Sequence, residues 1–142
     1  MAEIPSRLQA IIDDFEMSEG REKLELLLEY AEKLPPLPDW LVTEHEQMNQ
    51  VHECMTPVFV QAGLEAGKLT FYFDVPKESP TVRGYASLLK VGIDGAKPEE
   101  VLAIPADFYR QMGLDQVLTQ QRLNGISAIL AYMKRLAAQY MS

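Results

Sequence analysis

Apolar residues recur at helical spacing in two segments at the start of the chain. In the first, which begins at Pro5, every third or fourth residue is apolar and acidic residues lie between them, as in a helix with one buried face. In the second, over residues 20–33, the same spacing predicts another amphipathic helix. Three prolines within residues 35–38 end it, because proline cannot continue a helix. The residues expected to be buried are Leu8, Ile11, Ile12, Phe15, Leu24, Leu27, Leu28 and Ala31.

The pattern changes to alternation in the middle of the chain. Residues 58–60 form a short β-branched and aromatic run, and residues 68–75 alternate apolar with polar side chains, as in half-buried strands. The stretch between them, residues 63–67, predicts a hairpin loop. Because a two-stranded hairpin alone is marginally stable, we expect a third strand near residues 48–52.

Helical signals return in the second half of the chain. Ser79, followed by proline, predicts the N-cap of a helix that continues to about Gly92. Pro98 opens a short helix, and the pattern of residues 105–112 predicts another. Thr119 is expected to cap a last, strongly apolar helix. Several helices packed on a small antiparallel sheet of about three strands make an α+β fold.

Acidic residues outnumber basic ones, which gives the 142-residue chain a formal net charge of −8. An acidic surface repels the phosphates of nucleic acids and of anionic lipids, so we expect neither nucleic acid nor membrane as a partner. A basic protein surface fits better. No apolar run approaches the roughly 20 residues of a membrane helix, and the first residues show no apolar signal region. We therefore expect a cytoplasmic protein.

The chain has a single cysteine, Cys54. One cysteine excludes an internal disulfide, a four-cysteine zinc site and a protein-held iron–sulfur cluster of the usual kind. Pro57 cannot donate a hydrogen bond to a neighbouring strand, so strand pairing should begin after it. Cys54 would then lie on a turn outside the sheet, within reach of a partner. A lone cysteine is also often an inert buried side chain, and both interpretations stay open.

The neighbours of Cys54 suggest two other kinds of site. His52 suits a thiol enzyme, a peroxidase or a hydrolase, in which a histidine activates the cysteine, although no glycine-rich turn accompanies the thiol. A protonated His52 would lower the pKa of the thiol and Glu53 would raise it. Side chains of zinc-binding type in this region match no common ligand spacing, so we expect no metal. They are Glu44, His45, Glu46, His52, Glu53 and Cys54.

Arg122 stands at the start of the last apolar helix. A positive charge at this end opposes the helix dipole. The residue is therefore expected to have another task, such as pairing with a carboxylate or gripping a partner. The alternative is an ordinary surface arginine.

Six segments spread over nearly the whole chain share their order and spacing with a known family. In these segments the chain resembles the SufE family of sulfur acceptors. The resemblance implies a single domain over residues 1–142, with an α+β fold similar to the IscU-type scaffold. The segments are Ile11-Ile12-Asp13-Asp14-Phe15, Leu34-Pro35-Pro36-Leu37-Pro38, Val51-His52-Glu53-Cys54, Arg83-Gly84-Tyr85-Ala86-Ser87-Leu88-Leu89, Phe108-Tyr109-Arg110-Gln111-Met112-Gly113-Leu114 and Arg122-Leu123-Asn124-Gly125-Ile126.

The resemblance implies a function for Cys54. The thiol would take sulfane sulfur from a pyridoxal-phosphate-dependent cysteine desulfurase of the SufS kind, stimulate that enzyme, and pass the sulfur to an iron–sulfur scaffold complex. The chain would then be an accessory sulfur-transfer protein with no cofactor of its own. The resemblance implies partner-binding or supporting roles for Arg122, His52, Glu53 and Arg83.

The active loop departs from the usual family sequence. Where the family has Gly-Cys-Gln-Ser, this chain has Glu53-Cys54-Met55-Thr56. If the glycine serves a positive φ, Glu53 would be strained by about 1 kcal/mol. A loop that holds the thiol in an apolar pocket, and swings outward on docking, would keep a persulfide from water. The apolar side chains of Met55, Val58 and Phe59 suggest such a pocket.

Overall fold

The computed structural model describes residues 4–141, which form six α-helices and three β-strands. The predicted α+β fold, with a sheet of about three strands, is confirmed. Three short 3₁₀ turns cover His45–Gln47, Phe108–Arg110 and Leu114–Gln116. The helices are α1 (Ser6–Met17), α2 (Arg21–Lys33), α3 (Asp39–Thr43), α4 (Pro80–Ile93), α5 (Pro98–Leu102) and α6 (Gln120–Ala138), and the strands are β1 (Asn49–Gln50), β2 (Phe59–Glu65) and β3 (Lys68–Asp74).

The strands form one antiparallel sheet in the order β1-β2-β3. Val60 lies opposite Phe73 and Ala62 opposite Phe71, and all four side chains are buried. Because side chains alternate between the two faces of a strand, a register shift of one residue would expose this whole set. Strand β2 packs against α6 and β3 packs against α4, so the helices cover this face of the sheet.

The hairpin loop is shorter than the sequence predicts. The pattern indicates a loop over residues 63–67, whereas β2 continues to Glu65 and β3 begins at Lys68. Only Ala66 and Gly67 connect them, and both have positive φ, 54° and 78°. Two such residues fit a type I′ turn, whose twist matches that of the paired strands. Pairing therefore continues to the last residue of each strand.

The third strand predicted near residues 48–52 is confirmed, although β1 has only two residues. Beyond it, the backbone N–H of Val51 donates to the carbonyl oxygen of Val58 at 2.8 Å. Regular pairing resumes after Pro57, as the sequence predicts. These contacts close the base of a loop, residues 52–57, that contains the cysteine.

Helix α4 is central to the helical layer and contacts α1, α2, α6 and β3. Its side chains Tyr85, Leu88 and Leu89 are almost completely buried. The close approach to α2 depends on Gly84, because a Cβ there would lie 2.0 Å from the carbonyl oxygen of Leu27. A larger residue at this position would have to push two helix backbones apart.

The buried face of α2 differs from the predicted one. Leu27 and Ala31 are buried as predicted, but Leu28 is 46% exposed and Lys23 only 5% exposed. The Lys23 ammonium donates to the carbonyl oxygen of Phe15 near the end of α1, where the helix dipole favours a cation. Hydrophobic spacing does not reveal this lysine, because its burial depends on a partner in another helix.

The predictions for the segments before α4 and α6 are confirmed only in part. The pattern of residues 105–112 predicts a helix, but this stretch has instead one short 3₁₀ turn, Phe108–Arg110, with a buried Phe108. Thr119 caps α6 as predicted, since its Oγ1 accepts a hydrogen bond from the backbone N–H of Arg122 at 3.3 Å. Ser79 occupies the N-cap position of α4, but its side chain makes no capping hydrogen bond.

Candidate functional site

The loop that carries Cys54 connects β1 to β2 and contains no regular element. The backbone N–H of Cys54 donates to the carbonyl oxygen of Val51 at 3.3 Å, which closes a turn. The prediction that the cysteine lies on a turn outside the sheet is therefore confirmed. Few main-chain hydrogen bonds fix the loop, so its position depends on what its side chains touch.

The thiol rests on helix α6. Sγ of Cys54 donates a hydrogen bond to the carbonyl oxygen of Gly125 at 3.4 Å. A Cβ at position 125 would lie 3.2 Å from the same sulfur, which is tighter than an ordinary van der Waals contact. Gly125 therefore lets the thiol settle against the helix backbone, and the side chain is half-buried there.

This environment keeps the thiol protonated. Burial, followed by the negative charge of Glu53, raises the pKa of Cys54 to about 11. The sequence leaves open whether His52 or Glu53 dominates, and the structure favours Glu53. The resting thiol is therefore a weak nucleophile, because the thiolate is the reactive form.

A cleft of about 410 Å³ opens beside the thiol. It lies between the Cys54 loop and the N-terminal ends of α4 and α6, which carry the positive ends of the two helix dipoles. Of the three apolar side chains that suggested a pocket, Met55 lines the cleft, whereas Val58 and Phe59 do not. Hydroxyl groups and one guanidinium group also line it. The lining residues are Cys54, Met55, Thr56, Ser79, Val82, Thr119, Gln121, Arg122 and Gly125.

The two arginines implied by the sequence lie in different places. Arg122 is exposed and lines the cleft with Cys54. Arg83 does not line this cleft, and its guanidinium donates to the carbonyl oxygens of Ala31 at 3.0 Å and Val75 at 2.5 Å. Arg83 thereby ties the end of α2 to the segment after β3 and borders a second cleft of about 760 Å³.

The other loop residues face outward. His52 and Glu53 are exposed and do not line the cleft, so Glu53 acts on the thiol through its charge. The strain expected at Glu53 does not occur, because Ala66 is the only non-glycine residue with positive φ within residues 4–141. Met55 is 82% exposed at the rim of the cleft, where Nε2 of Gln121 contacts its Sδ.

The side chains of metal-ligating type near the loop are not brought together. Nε2 of His45 lies 2.7 Å from Oδ2 of Asp74, and its ring packs edge-on against Phe59 at 4.6 Å between centroids. In the part of the chain that the structure describes, no group of three or more His, Cys, Asp or Glu side chains is placed to hold a metal ion. Over the same residues, no helix combines the length and apolar character needed to cross a bilayer.

Sequence reasoning missed most of the cleft lining. Ser79 and Thr119 were recognised only as helix caps, and the packing role of Gly125 has no signal in hydrophobic spacing. The one available signal was the family segment at residues 122–126, which contains both Arg122 and Gly125. Side chains distant in sequence share a cleft because α4 and α6 start at the same end of the fold.

A solved structure supports this fold. The solution structure of a hypothetical protein from Thermus thermophilus matches with a TM-score of 0.85 and 39% sequence identity, and the match covers 96% of this chain and 97% of that one. At this identity and coverage the two chains share their architecture over nearly their whole length.

Comparisons of the sequence point to one family. An uncharacterized SufE-like protein of Mycobacterium tuberculosis is 39% identical over 135 residues, which cover 94% of this chain and 93% of that protein. An uncharacterized SufE-like protein of Synechocystis is 30% identical over 140 residues, covering 98% and 85%. Residues 9–137 match the SufE family, described as an Fe-S metabolism associated domain. The chain belongs to the SufE family.

Proposed function

We propose that the chain is an accessory sulfur-transfer protein of the cytoplasm. Cys54 takes sulfane sulfur from a pyridoxal-phosphate-dependent cysteine desulfurase, activates that enzyme, and delivers the sulfur for iron–sulfur cluster assembly. The observation that carries the proposal is the placement of the only thiol on an irregular loop, beside a cleft, in a family associated with Fe–S metabolism.

The transfer needs only thiol–persulfide exchange. The Cys54 thiolate attacks the outer sulfur of the persulfide on the desulfurase, so that a bond forms between Sγ and that sulfur. The desulfurase cysteine leaves as a thiolate, and the proton of Cys54 passes to solvent. No external oxidant is required. Removal of the persulfide frees the desulfurase for its next turnover, which explains activation.

The raised pKa of Cys54 favours a movement of the loop before the thiol reacts. With a pKa of about 11, about one thiol in ten thousand is ionised at pH 7. Docking of the desulfurase would break the contact with Gly125 and carry the sulfur outward, away from burial. The exposed Arg122 and Met55 lie where the incoming partner would touch the rim of the cleft.

The resting position of Cys54 against α6 also protects the persulfide before its sulfur is delivered. After transfer, the loop returns the persulfide to the cleft, where Val82 and the start of α6 limit its contact with bulk water. The scaffold complex then draws the loop out again. One loop contact therefore separates a protected state from a reactive one.

The test is to mix the protein with a cysteine desulfurase and free cysteine. We expect the intact mass of wild type to rise by one sulfur atom and the rate of cysteine turnover to increase, whereas Cys54→Ser shows neither change. Hydrogen exchange over residues 51–57 should change when the desulfurase is added. An unchanged exchange pattern would contradict the loop movement.

Two other outcomes would replace the proposal. Formation of a sulfenic acid on Cys54 with turnover of peroxide would indicate a thiol peroxidase. A thiol that gains no sulfur, in a protein whose Cys54→Ser variant supports cluster assembly fully, would indicate an interaction module with an inert cysteine. The high pKa of the resting thiol disfavours the peroxidase, which needs a stable thiolate.

A further inference from the structure

The cleft beside Cys54 has the dimensions and chemistry of a small-molecule site. Its volume of about 410 Å³ falls within the range of ligand pockets, roughly 300–1,000 Å³. It holds one thiol, three hydroxyl groups and one guanidinium group. The hydroxyl groups belong to Thr56, Ser79 and Thr119. The cleft is partly open to solvent, so a small molecule can reach the thiol from outside.

The guanidinium of Arg122 is available to a ligand. The ion pairs within residues 4–141 use other cations, and none includes Arg122. Its side chain also makes no hydrogen bond to Cys54, whose Sγ donates to Gly125. The thiol and the guanidinium therefore border the same cleft without a hydrogen bond between them, which leaves the guanidinium able to pair with a carboxylate in the cleft.

We propose that this cleft binds a low-molecular-weight thiol that carries a carboxylate, and that this thiol accepts sulfur from the Cys54 persulfide. The inference rests on the proposed function, since it needs a persulfide on Cys54. The carboxylate pairs with Arg122 at the start of α6, and the thiol end points to the cysteine. The protein would then deliver sulfur to a soluble acceptor as well as to a protein.

The transfer is balanced without any other reactant. The thiolate of the small molecule attacks the outer sulfur of the persulfide, and a new bond forms between the two sulfurs. The bond between Sγ of Cys54 and the outer sulfur breaks, and Cys54 keeps the electron pair. It then takes a proton from solvent and returns to Gly125 as a thiol. The small molecule leaves as a persulfide.

The net negative charge of the chain makes a preference for a thiol that carries a carboxylate easy to recognise. A protein of net charge −8 repels an anionic thiol more than a neutral one. Without a local cationic site, a carboxylate should slow the reaction, and low salt should slow it further. A faster reaction with the carboxylate therefore requires a specific contact, and Arg122 is the arginine that lines the cleft.

The experiment loads Cys54 with inorganic polysulfide, so that no desulfurase is involved, and follows loss of the persulfide by intact mass. Mercaptopropionate is compared with mercaptopropanol of the same chain length, which lacks the carboxylate. We expect the carboxylate thiol to saturate the protein and to be favoured about fivefold over the alcohol, as an exposed ion pair allows. Propionate should compete with mercaptopropionate only.

Two variants locate the contact. Arg122→Gln should remove the preference and the saturation, while Arg110→Gln, which changes an exposed arginine outside this cleft, should retain both. The two thiols differ in intrinsic reactivity, and this difference cancels when the ratio of their rates in each variant is compared with the ratio in wild type.

Two results would overturn the inference. They are an equal or lower rate with mercaptopropionate in wild type, and a preference that persists in Arg122→Gln. Because loading is chemical, these results are separate from the desulfurase test. A persulfide formed by the desulfurase with no carboxylate preference would leave the proposed function standing and reject only the small-molecule site.

Discussion

Gly84 and Gly125 each allow a close approach, and they differ in what lies opposite. A Cβ at Gly84 in α4 would lie 2.0 Å from the main-chain oxygen of Leu27, whereas a Cβ at Gly125 in α6 would lie 3.2 Å from the sulfur of Cys54. The first contact joins two helix backbones that cannot move separately. The second joins a helix to a side chain on an irregular loop. The helix packing at Gly84 is therefore rigid, whereas the contact at Gly125, which we propose is functional, depends on the position of one loop.

The two arginines repeat this contrast. Arg83 is partly buried and bonded to two main-chain carbonyl groups, so it holds the fold together. Arg122 is exposed beside Cys54 and remains free to meet a ligand or partner. The family resemblance implies supporting or partner-binding roles for both residues, but their surroundings differ.

The largest expected effect is on stability at Gly84. Gly84→Ala places a methyl group against the backbone of α2, and we expect a loss of about 3 kcal/mol in the free energy of unfolding. Gly125→Ala is the matched control, with a change within about 1 kcal/mol, because alanine favours the helix and offsets the tight contact with sulfur. Urea unfolding measures both. Equal losses would contradict the distinction between the two contacts.

An intermediate effect is expected for the arginines. Arg83→Gln removes charge-assisted hydrogen bonds to two carbonyl groups, and we expect a loss of about 2 kcal/mol. Arg122→Gln should stay within about 0.5 kcal/mol of wild type, as exposed substitutions usually do. Thermal unfolding of the two variants side by side measures the difference. A larger loss for Arg122→Gln would show that it serves the fold.

A smaller effect, about 1.4 kcal/mol for each pKa unit, is expected on the ionisation of the thiol. Gly125→Ala pushes Sγ of Cys54 from its rest position, so the pKa should fall from about 11 toward the ordinary 9.0. Each unit of decrease raises the thiolate fraction about tenfold at pH 8. The rate of alkylation by iodoacetamide, measured from pH 7 to about pH 11, gives this pKa. An unchanged profile would mean that the contact with Gly125 does not control the thiol.

The helices and the hairpin strands follow from local patterns. The spacing of Leu8, Ile11, Ile12 and Phe15 fixes one helical face, and all four are buried in α1. Alternation over β3 likewise gives the buried face of the sheet. The errors at Leu28 and Lys23 arose because spacing records only which residues are apolar. Burial of a lysine depends on a carbonyl group supplied by another helix.

The candidate site was predictable in part. A single cysteine followed by a proline indicated the loop, and the family segments pointed to Arg122. No local pattern could show that Arg83 lies away from the thiol, or that Glu53 outweighs His52 in its effect on the pKa. These outcomes depend on distances between elements that are far apart in the chain.

The sequence by itself determined the α+β architecture, the loop position of Cys54 and the family, because these depend on periodicity, turn residues and ordered motifs. The tertiary structure alone decided that the thiol rests on the Gly125 carbonyl, and that Arg122 rather than Arg83 shares its cleft. The physical reason is that hydrogen bonding, burial and charge act over distances of a few ångströms. Only the packing of α4, α6 and the loop sets those distances.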